Sequence, residues 1–313
     1  MSKIITVTLN SAIDMRISLP DLHWADTYQA THSSEWAAGK GINMAKTLAA
    51  LDCPVTAFAF VGEQSLSFFN TCQRPYLTSH YLAVAGKTRS NITLFNHTSK
   101  QETHIRTTGF SVSATDCQHF LQQLAACVTA GDSVILAGSL PMGAPSDFYA
   151  QLITQCQQQR VTCFLDSSGD SLKQGLLARP FLLKPNRQEF EHLLGRPLKN
   201  TADVVSAARE LIAAGITWVI VSCAEHGAIF VNQTQAFSAC ITIPAEPAIV
   251  SYVGCGDALL AGFVLAMAQK SDTTDCIKLA LACGTANLFA AEPGNISLDW
   301  VKHFQEKVVI TAL

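Results

Sequence analysis

The stretch VTCFLDSSGDSLKQGLLARPFLLKPNRQEFEHLL, residues 161–194, reads as a strand, a helix, a second strand and a second helix. The runs 161–166 and 181–184 are apolar on both faces, and helical patterns open near Ser168 and Arg187. A strand without a polar face must be covered on both sides, which is the signature of a parallel sheet between helical layers. The same alternation extends outward along the chain. Further strands are expected at 4–10, 55–61, 133–138 and 218–222, with helices opening near Gly41, Ala114, Ser146 and Thr201. Ser113 and Asp116 have the spacing of a capping box, and Gly131 and Gly215 stand where helices are expected to end. Two segments depart from this rhythm. Residues 12–37 and about 87–108 are more polar, and the second alternates like a hairpin around NHTSK (96–100). They predict a small β-layer projecting from the main sheet, its apolar face set by residues such as Ile92, Leu94 and Ile105.

The chain has 313 residues, 49% hydrophobic and 14% charged, with a net charge of -3. That length suits one large α/β unit spanning 1–313, and the charge balance argues against a nucleic-acid or polybasic membrane surface. The N-terminus enters a strand at once without the order of a signal peptide, and no apolar run reaches about 18 residues, so a cytoplasmic protein is expected. The eleven cysteines include no C-x-x-C pair, which reads as small buried hydrophobes in a reduced protein.

Ligands of such sheets bind at the carboxyl ends of strands, near helix N-termini. Three polar clusters fall there. In AAGKGIN (37–43), Gly39 and Gly41 suit a close approach of backbone to ligand, and Lys40 supplies a point charge for a phosphate. The same residues also suit an ordinary turn. In LLKPNRQEF (182–190), Lys184, Asn186 and Glu189 follow a strand, and Glu189 either complements the helix dipole or helps hold a hydrated Mg²⁺. In SYVGCGDALLAGF (251–263), Gly254, Cys255 and Gly256 expose successive N–H groups before a helix expected to start at Asp257. A structural acid beside an anion hole would repel a phosphate, so Asp257 fits a base acting on a hydroxyl. Leu259 breaks the G-x-G-x-x-G pattern, which removes support for a dinucleotide-binding dehydrogenase.

Taken in order, TLNSAID, AAGKGIN, GKTRSNITL, AGSLPMG, LDSSGDSL, LKPNRQE, VIVSCAEHGA and VGCGDALLAGF resemble the ribokinase-like sugar kinases of the phosphofructokinase-B family, nearly from end to end. The closer resemblance is to its 1-phosphofructokinase and tagatose-6-phosphate kinase branch. It implies a ribokinase-like three-layer sandwich, a mainly parallel central sheet with a small β-sheet lid, that uses ATP and Mg²⁺ to phosphorylate a ketohexose monophosphate to the bisphosphate. By position, Asp257 matches the general base, and Gly254, Cys255 and Gly256 match the anion hole. Asp14, Gly39, Gly41 and Asn43 match sugar contacts, with Lys40, Arg89 and Arg106 as candidates for the phosphate already on the sugar. Lys184, Asn186, Ser222, Gly227 and Asn287 match the nucleotide region, with Glu189 toward the metal.

Several positions depart from the family pattern. Ser11 replaces a usual proline and is expected to loosen the entry to the lid. Ala224 replaces a glycine in the nucleotide loop, Cys255 stands for Ala or Ser, and Ala258 for Ser or Thr. The acid of the usual G-x-D reads GEQ (62–64). DFYAQLITQCQQQ (147–159) leans toward tagatose 6-phosphate over fructose 1-phosphate as substrate. A kinase for an unphosphorylated sugar or a nucleoside, and a catalytically silent sugar-phosphate sensor, are the alternatives. The resemblance also implies a homodimer formed through the lids.

Overall fold

The computed structural model describes residues 2–23, 25–243 and 247–313. Its strands are β1 (Ile4–Thr8), β2 (Ala12–Leu19), β3 (His32–Ala38), β4 (Val55–Gly62), β5 (Leu77–Val84), β6 (Arg89–Asn96), β7 (Glu102–Arg106), β8 (Ser133–Ala137), β9 (Thr162–Asp166), β10 (Leu182–Leu183), β11 (Trp218–Ser222), β12 (Ala228–Val231), β13 (Ala236–Cys240) and β14 (Val309–Ala312). The helices are α1 (Lys40–Ala50), α2 (Leu66–Thr71), α3 (Ala114–Cys127), α4 (Phe148–Gln158), α5 (Gly169–Leu177), α6 (Arg187–Leu194), α7 (Thr201–Ala213), α8 (Cys255–Ala268), α9 (Thr273–Asn287) and α10 (Leu298–Gln305).

Ten strands form one sheet in the order β14-β13-β12-β11-β10-β9-β8-β1-β4-β5. Pairing is parallel from β5 through β11 and antiparallel from β11 to β14. Alternate residues of β1 feed opposite cores. Ile4 packs with residues of α1, α8, α9 and α10 on one face, whereas Ile5 and Val7 pack with residues of α3 to α7 on the other. Each fully buried Leu or Phe of these cores stabilises the fold by about 1.5–3 kcal/mol. The two cores hold the strand ends, and hence the site, in fixed relation.

The element boundaries differ instructively from those expected. α8 starts at Cys255, two residues before Asp257, because Gly254 takes the left-handed φ of 84° that turns the chain into the helix. Gly131 does not cap α3, which ends at Cys127; it sits in the turn before β8. Gly215 directly follows the C-cap of α7, as its position suggested. The expected strand 181–184 shrinks to Leu182–Leu183, since Pro185 removes a donor just beyond. The lone apolar helix after Gly256 proves to be half of a pair. α8 lies so close to α9 that a Cβ at Gly262 would sit 2.8 Å from the Leu279 carbonyl oxygen.

A separate four-stranded sheet has the order β3-β2-β6-β7. Its register puts Trp36, Asp14, Asn91 and Arg106 in one row across the strands. Glu35, Met15, Ile92 and Ile105 form the adjacent row, so Met15, Ile92 and Ile105 share the face opposite Asp14, Asn91 and Arg106. Ser11 does not loosen the junction between the sheets. Its buried hydroxyl donates to the Phe60 carbonyl at 2.6 Å and ties the start of β2 to β4.

Candidate active site

Two helices begin where the sheets meet, and neither has a side-chain cap. α1 starts after Gly39 and α8 after Gly254, so the first amides of both lack intrahelical partners and favour an anion. The glycines of AAGKGIN also serve packing. A Cβ at Gly41 would lie 2.5 Å from Thr8 Oγ1, so Gly41 lets α1 rest against the end of β1. Asn43, one turn into α1, donates its Nδ2 hydrogen to Asp257 Oδ2 at 2.9 Å. Asp257 is 7% exposed, and burial pushes its carboxyl up to about 6, with Lys40 opposing the shift and Asp166 adding to it. The acid is thus held on the first turn of an apolar helix, with a pKa suited to accepting a proton near neutrality.

The sequence reading did not single out Asp166, which closes β9 and is fully buried. Lys40 Nζ lies 2.8 Å from its Oδ1 and Lys184 Nζ lies 3.1 Å from its Oδ2. Burial works against the charge of Asp166, but Lys184 and Lys40 outweigh it and hold the carboxyl below its ordinary value. For Lys40, burial alone would lower the ammonium's pKa, and Asp166, Asp257 and Glu189 together raise it. The signal in the sequence was the acid ending an apolar strand, in LDSSGDSL, with one lysine just past the neighbouring strand β10 and another opening α1. A Cβ at Gly256 would come within 3.2 Å of Lys184 Nζ, which places that ammonium beside the α8 turn. Lys40 therefore belongs to the same charge cluster as Asp257, not to the small sheet.

On the small sheet, Asn91 donates to Asp14 Oδ1 at 2.7 Å, and burial raises the Asp14 carboxyl. Arg89 opens β6 and donates to the carbonyls of Asn10 and Ser11 at 3.1 and 3.4 Å. Burial and the nearby Arg106 both lower its pKa. The two guanidiniums thus share one region with the Asp14 carboxylate, a pair that would gain from a dianion. Asn43 Oδ1, Asn91 Oδ1 and Trp36 Nε1 are buried there without a protein partner.

A cavity of about 690 Å³ opens on the other side of the α8 turn. Asn186, Ser222, Gly227, Cys255 and Gly256 line it, with Tyr252, Leu259 and Leu288 supplying apolar surface. Gly227 is obligatory, because at φ 81° a Cβ would lie 2.0 Å from the Ala239 carbonyl oxygen. Lys184 stands outside this lining. So does Asn287, whose amide is spent within the protein: it donates to the Val253 carbonyl at 2.8 Å and accepts from the Gly294 amide at 2.8 Å. Burial raises the Cys255 thiol to about 11, which makes it a neutral, compact wall and not a nucleophile. Ala258, in the first turn of α8, is fully buried in the core. Ala224 has a positive φ of 49°, a backbone region that favours glycine. Ala224→Gly should relieve this strain and raise stability by about 1 kcal/mol, read as a higher Tm; an unchanged or lower Tm contradicts the strain.

No group of three or more His, Cys, Asp or Glu side chains able to hold a metal occurs among the described residues. Glu189 forms a capping box with Asn186, its Oε2 accepting the Asn186 amide at 2.8 Å, and its Oε1 lies 4.0 Å from Lys40 Nζ. One partly engaged carboxylate suits the outer sphere of a hydrated Mg²⁺ carried by phosphates, and does not make a protein cage. No helix of the described residues is long and apolar enough to cross a membrane.

DFYAQLITQCQQQ carries no weight in choosing between sugars. It forms α4, where Phe148, Tyr149, Leu152 and Ile153 are fully buried in the core beneath the sheet.

The chain is similar to known proteins along nearly its whole length. Residues 8–300 match the pfkB family of carbohydrate kinases. A 1-phosphofructokinase of Xanthomonas campestris is 37% identical, the match covering 99% of this chain and 98% of that protein. A 1-phosphofructokinase of Bacillus subtilis is 30% identical, covering 99% and 100%. The crystal structure of phosphofructokinase-2 from Escherichia coli in complex with potassium has the same fold, with a TM-score of 0.90 at 24% identity over 98% of this chain and 99% of that one. With a family pattern spanning residues 8–300 and relatives 37% and 30% identical over 99% of its length, the chain belongs to the pfkB family of carbohydrate kinases.

Proposed function

We propose that this kinase transfers the γ-phosphoryl group of ATP to the 6-hydroxyl of fructose 1-phosphate, giving fructose 1,6-bisphosphate and ADP. The supporting observation is the separation of charge. Asp257 stands at the anion hole of α8, while Arg89 and Arg106 stand across the sugar region on the small sheet. A ketose phosphate spans these poles with its phosphate on the arginines and its free hydroxyl at Asp257. The names of the full-length relatives favour fructose 1-phosphate over tagatose 6-phosphate.

In this reading the nucleotide occupies the cavity beside Ser222 and Gly227, and Glu189 would help hold a hydrated Mg²⁺, which would supply charge neutralisation for the phosphates. Asp257, oriented by Asn43, takes the hydroxyl proton as the oxygen attacks phosphorus and the bond to the ADP oxygen breaks. Charge developing on the transferring group meets the amides of Cys255 and Gly256 and the ammonium of Lys184. Lys40, joined to Asp166, lies on this transferring side, so the reading of the existing phosphate falls to the arginines. Asp14 and Asn91 orient the sugar hydroxyls.

³¹P NMR of a reaction with MgATP and fructose 1-phosphate tests the assignment. The expected product carries phosphate on O1 and O6 with one ADP per turnover. ADP formed from tagatose 6-phosphate alone, or from none of the phosphorylated sugars, contradicts it. Because Asp257 must be ionised to act, kcat/KM should fall about tenfold per pH unit below a midpoint near the folded value of about 6. A flat profile down to about pH 5 removes Asp257 as the titrating base.

The apolar face of the small sheet, with Ile105 46% exposed, is proposed to close over the sugar site's back and pair with the same face of a second copy. Sedimentation should show a dimer that Ile92→Lys dissociates; a monomeric wild type at micromolar concentration contradicts the pairing.

A further inference from the structure

A buried ion pair behind the site has no part in the chemistry above, yet it touches three of the site's walls. Lys46, in α1, is 2% exposed, and its ammonium lies 2.8 Å from Glu292 Oε1. It also donates to the carbonyl of Ala37, at the end of β3. Glu292 sits in the loop after α9, and its second oxygen is paired with Arg74, which also donates to Asn295 Oδ1 at 2.8 Å. The same loop reaches the catalytic turn. The Gly294 amide donates to Asn287 Oδ1 at 2.8 Å, and Asn287 Nδ2 donates to the Val253 carbonyl at 2.8 Å, one residue before the cap of α8. Gly294 rests so tightly on α1 that a Cβ there would lie 2.3 Å from the Asn43 carbonyl oxygen.

We propose that Lys46 is a positioning residue that, through Glu292, fixes α1 with Asn43 against the α8 turn and anchors the end of β3 to both. The distance between Asp257's partner Asn43 and the amides of Cys255 and Gly256 is set from behind by this ion pair. Burial lowers the pKa of the Lys46 ammonium; Glu292 and the field of Asp14 oppose the shift, Arg74 adds to it, and the ammonium stays below its ordinary value. A buried pair of this kind contributes little net stability compared with apolar groups of the same volume. Its value here is geometric, since it joins elements that are far apart in sequence and share no continuous secondary structure.

The inference rests on the α8 turn being the anion hole. If the wild-type protein forms no ADP with any sugar, that reading fails; if it turns over and the variants below match it, this one fails. In the full-length double variant Lys46→Met with Glu292→Leu, apolar groups replace the pair, and the partly buried Arg74 keeps Asn295 as its partner. The expected result is a Tm within about 5 °C of wild type, with kcat reduced about 10²-fold and KM for both substrates changed less than about threefold. A purely structural role predicts the opposite split, a large fall in Tm with normal kcat in the folded fraction. Should the double variant not fold, Glu292→Gln carries the same test, with an expected loss of about tenfold in kcat at unchanged KM. A folded variant of either kind that retains wild-type kcat overturns the proposal.

Discussion

Asp257→Asn should lower kcat by about 10³-fold or more while leaving KM for sugar and nucleotide near their wild-type values. The substitution preserves shape and the hydrogen bond from Asn43, so it removes one property alone, the capacity to accept a proton. Its second consequence has the opposite sign. The carboxyl of Asp257 is raised from 3.8 to about 6, so the folded chain binds that proton more tightly than the unfolded chain does. The favourable contribution is therefore complete below about pH 4 and disappears as pH rises through the folded value, leaving ionised Asp257 a cost of roughly 2–3 kcal/mol near neutrality. Asp257→Asn should melt higher than wild type at neutral pH, with the difference closing in acid. A variant that is both inactive and less stable at neutral pH would show that the carboxylate is structural.

Arg89→Ala should reduce kcat/KM for the sugar phosphate by about 10²-fold, chiefly through KM, and leave kcat/KM for the corresponding free sugar nearly unchanged. The guanidinium is already oriented by the carbonyls of Asn10 and Ser11, and its charge is opposed by Arg106 in the ligand-free protein. A phosphate dianion relieves that repulsion as it binds, so the interaction exceeds an exposed ion pair of about 0–1 kcal/mol. Arg106→Ala should act in the same direction with a smaller effect, because Arg106 is exposed at the end of β7. Equal losses for phosphorylated and free sugars would mean that Arg89 only supports the junction of the two sheets.

Much of the layered fold was readable because burial on both faces leaves an uninterrupted apolar strand, as in VTCFL and WVIVS. The strands that went unnoticed lie toward the margins of the large sheet. β5, at one edge, exposes Thr78, Ser79 and His80, which dilutes its pattern, whereas β12, β13 and β14 are only 4, 5 and 4 residues long, too short to show a period. At the site, Asp257 was legible because an acid between glycines and an apolar helix has few structural uses. Asp166 was not, since an acid ending a strand looks like a turn residue until two lysines from separate segments arrive at it. The partner of Lys40 was hidden for the same reason: spacing shows that a cation follows a glycine, and only the fold shows that it meets Asp166. The ion pair of Lys46 and Glu292 spans 246 positions and leaves no local pattern at all.

The most direct test of a site with a base at one pole and a phosphate clamp at the other is ADP release with MgATP, measured as kcat/KM for fructose 1-phosphate and for free fructose in parallel. Tight reading of the phosphate predicts a preference of about 10² or more for fructose 1-phosphate, lost in Arg89→Ala. Turnover that is equal for the two sugars, or seen with free fructose alone, would contradict it.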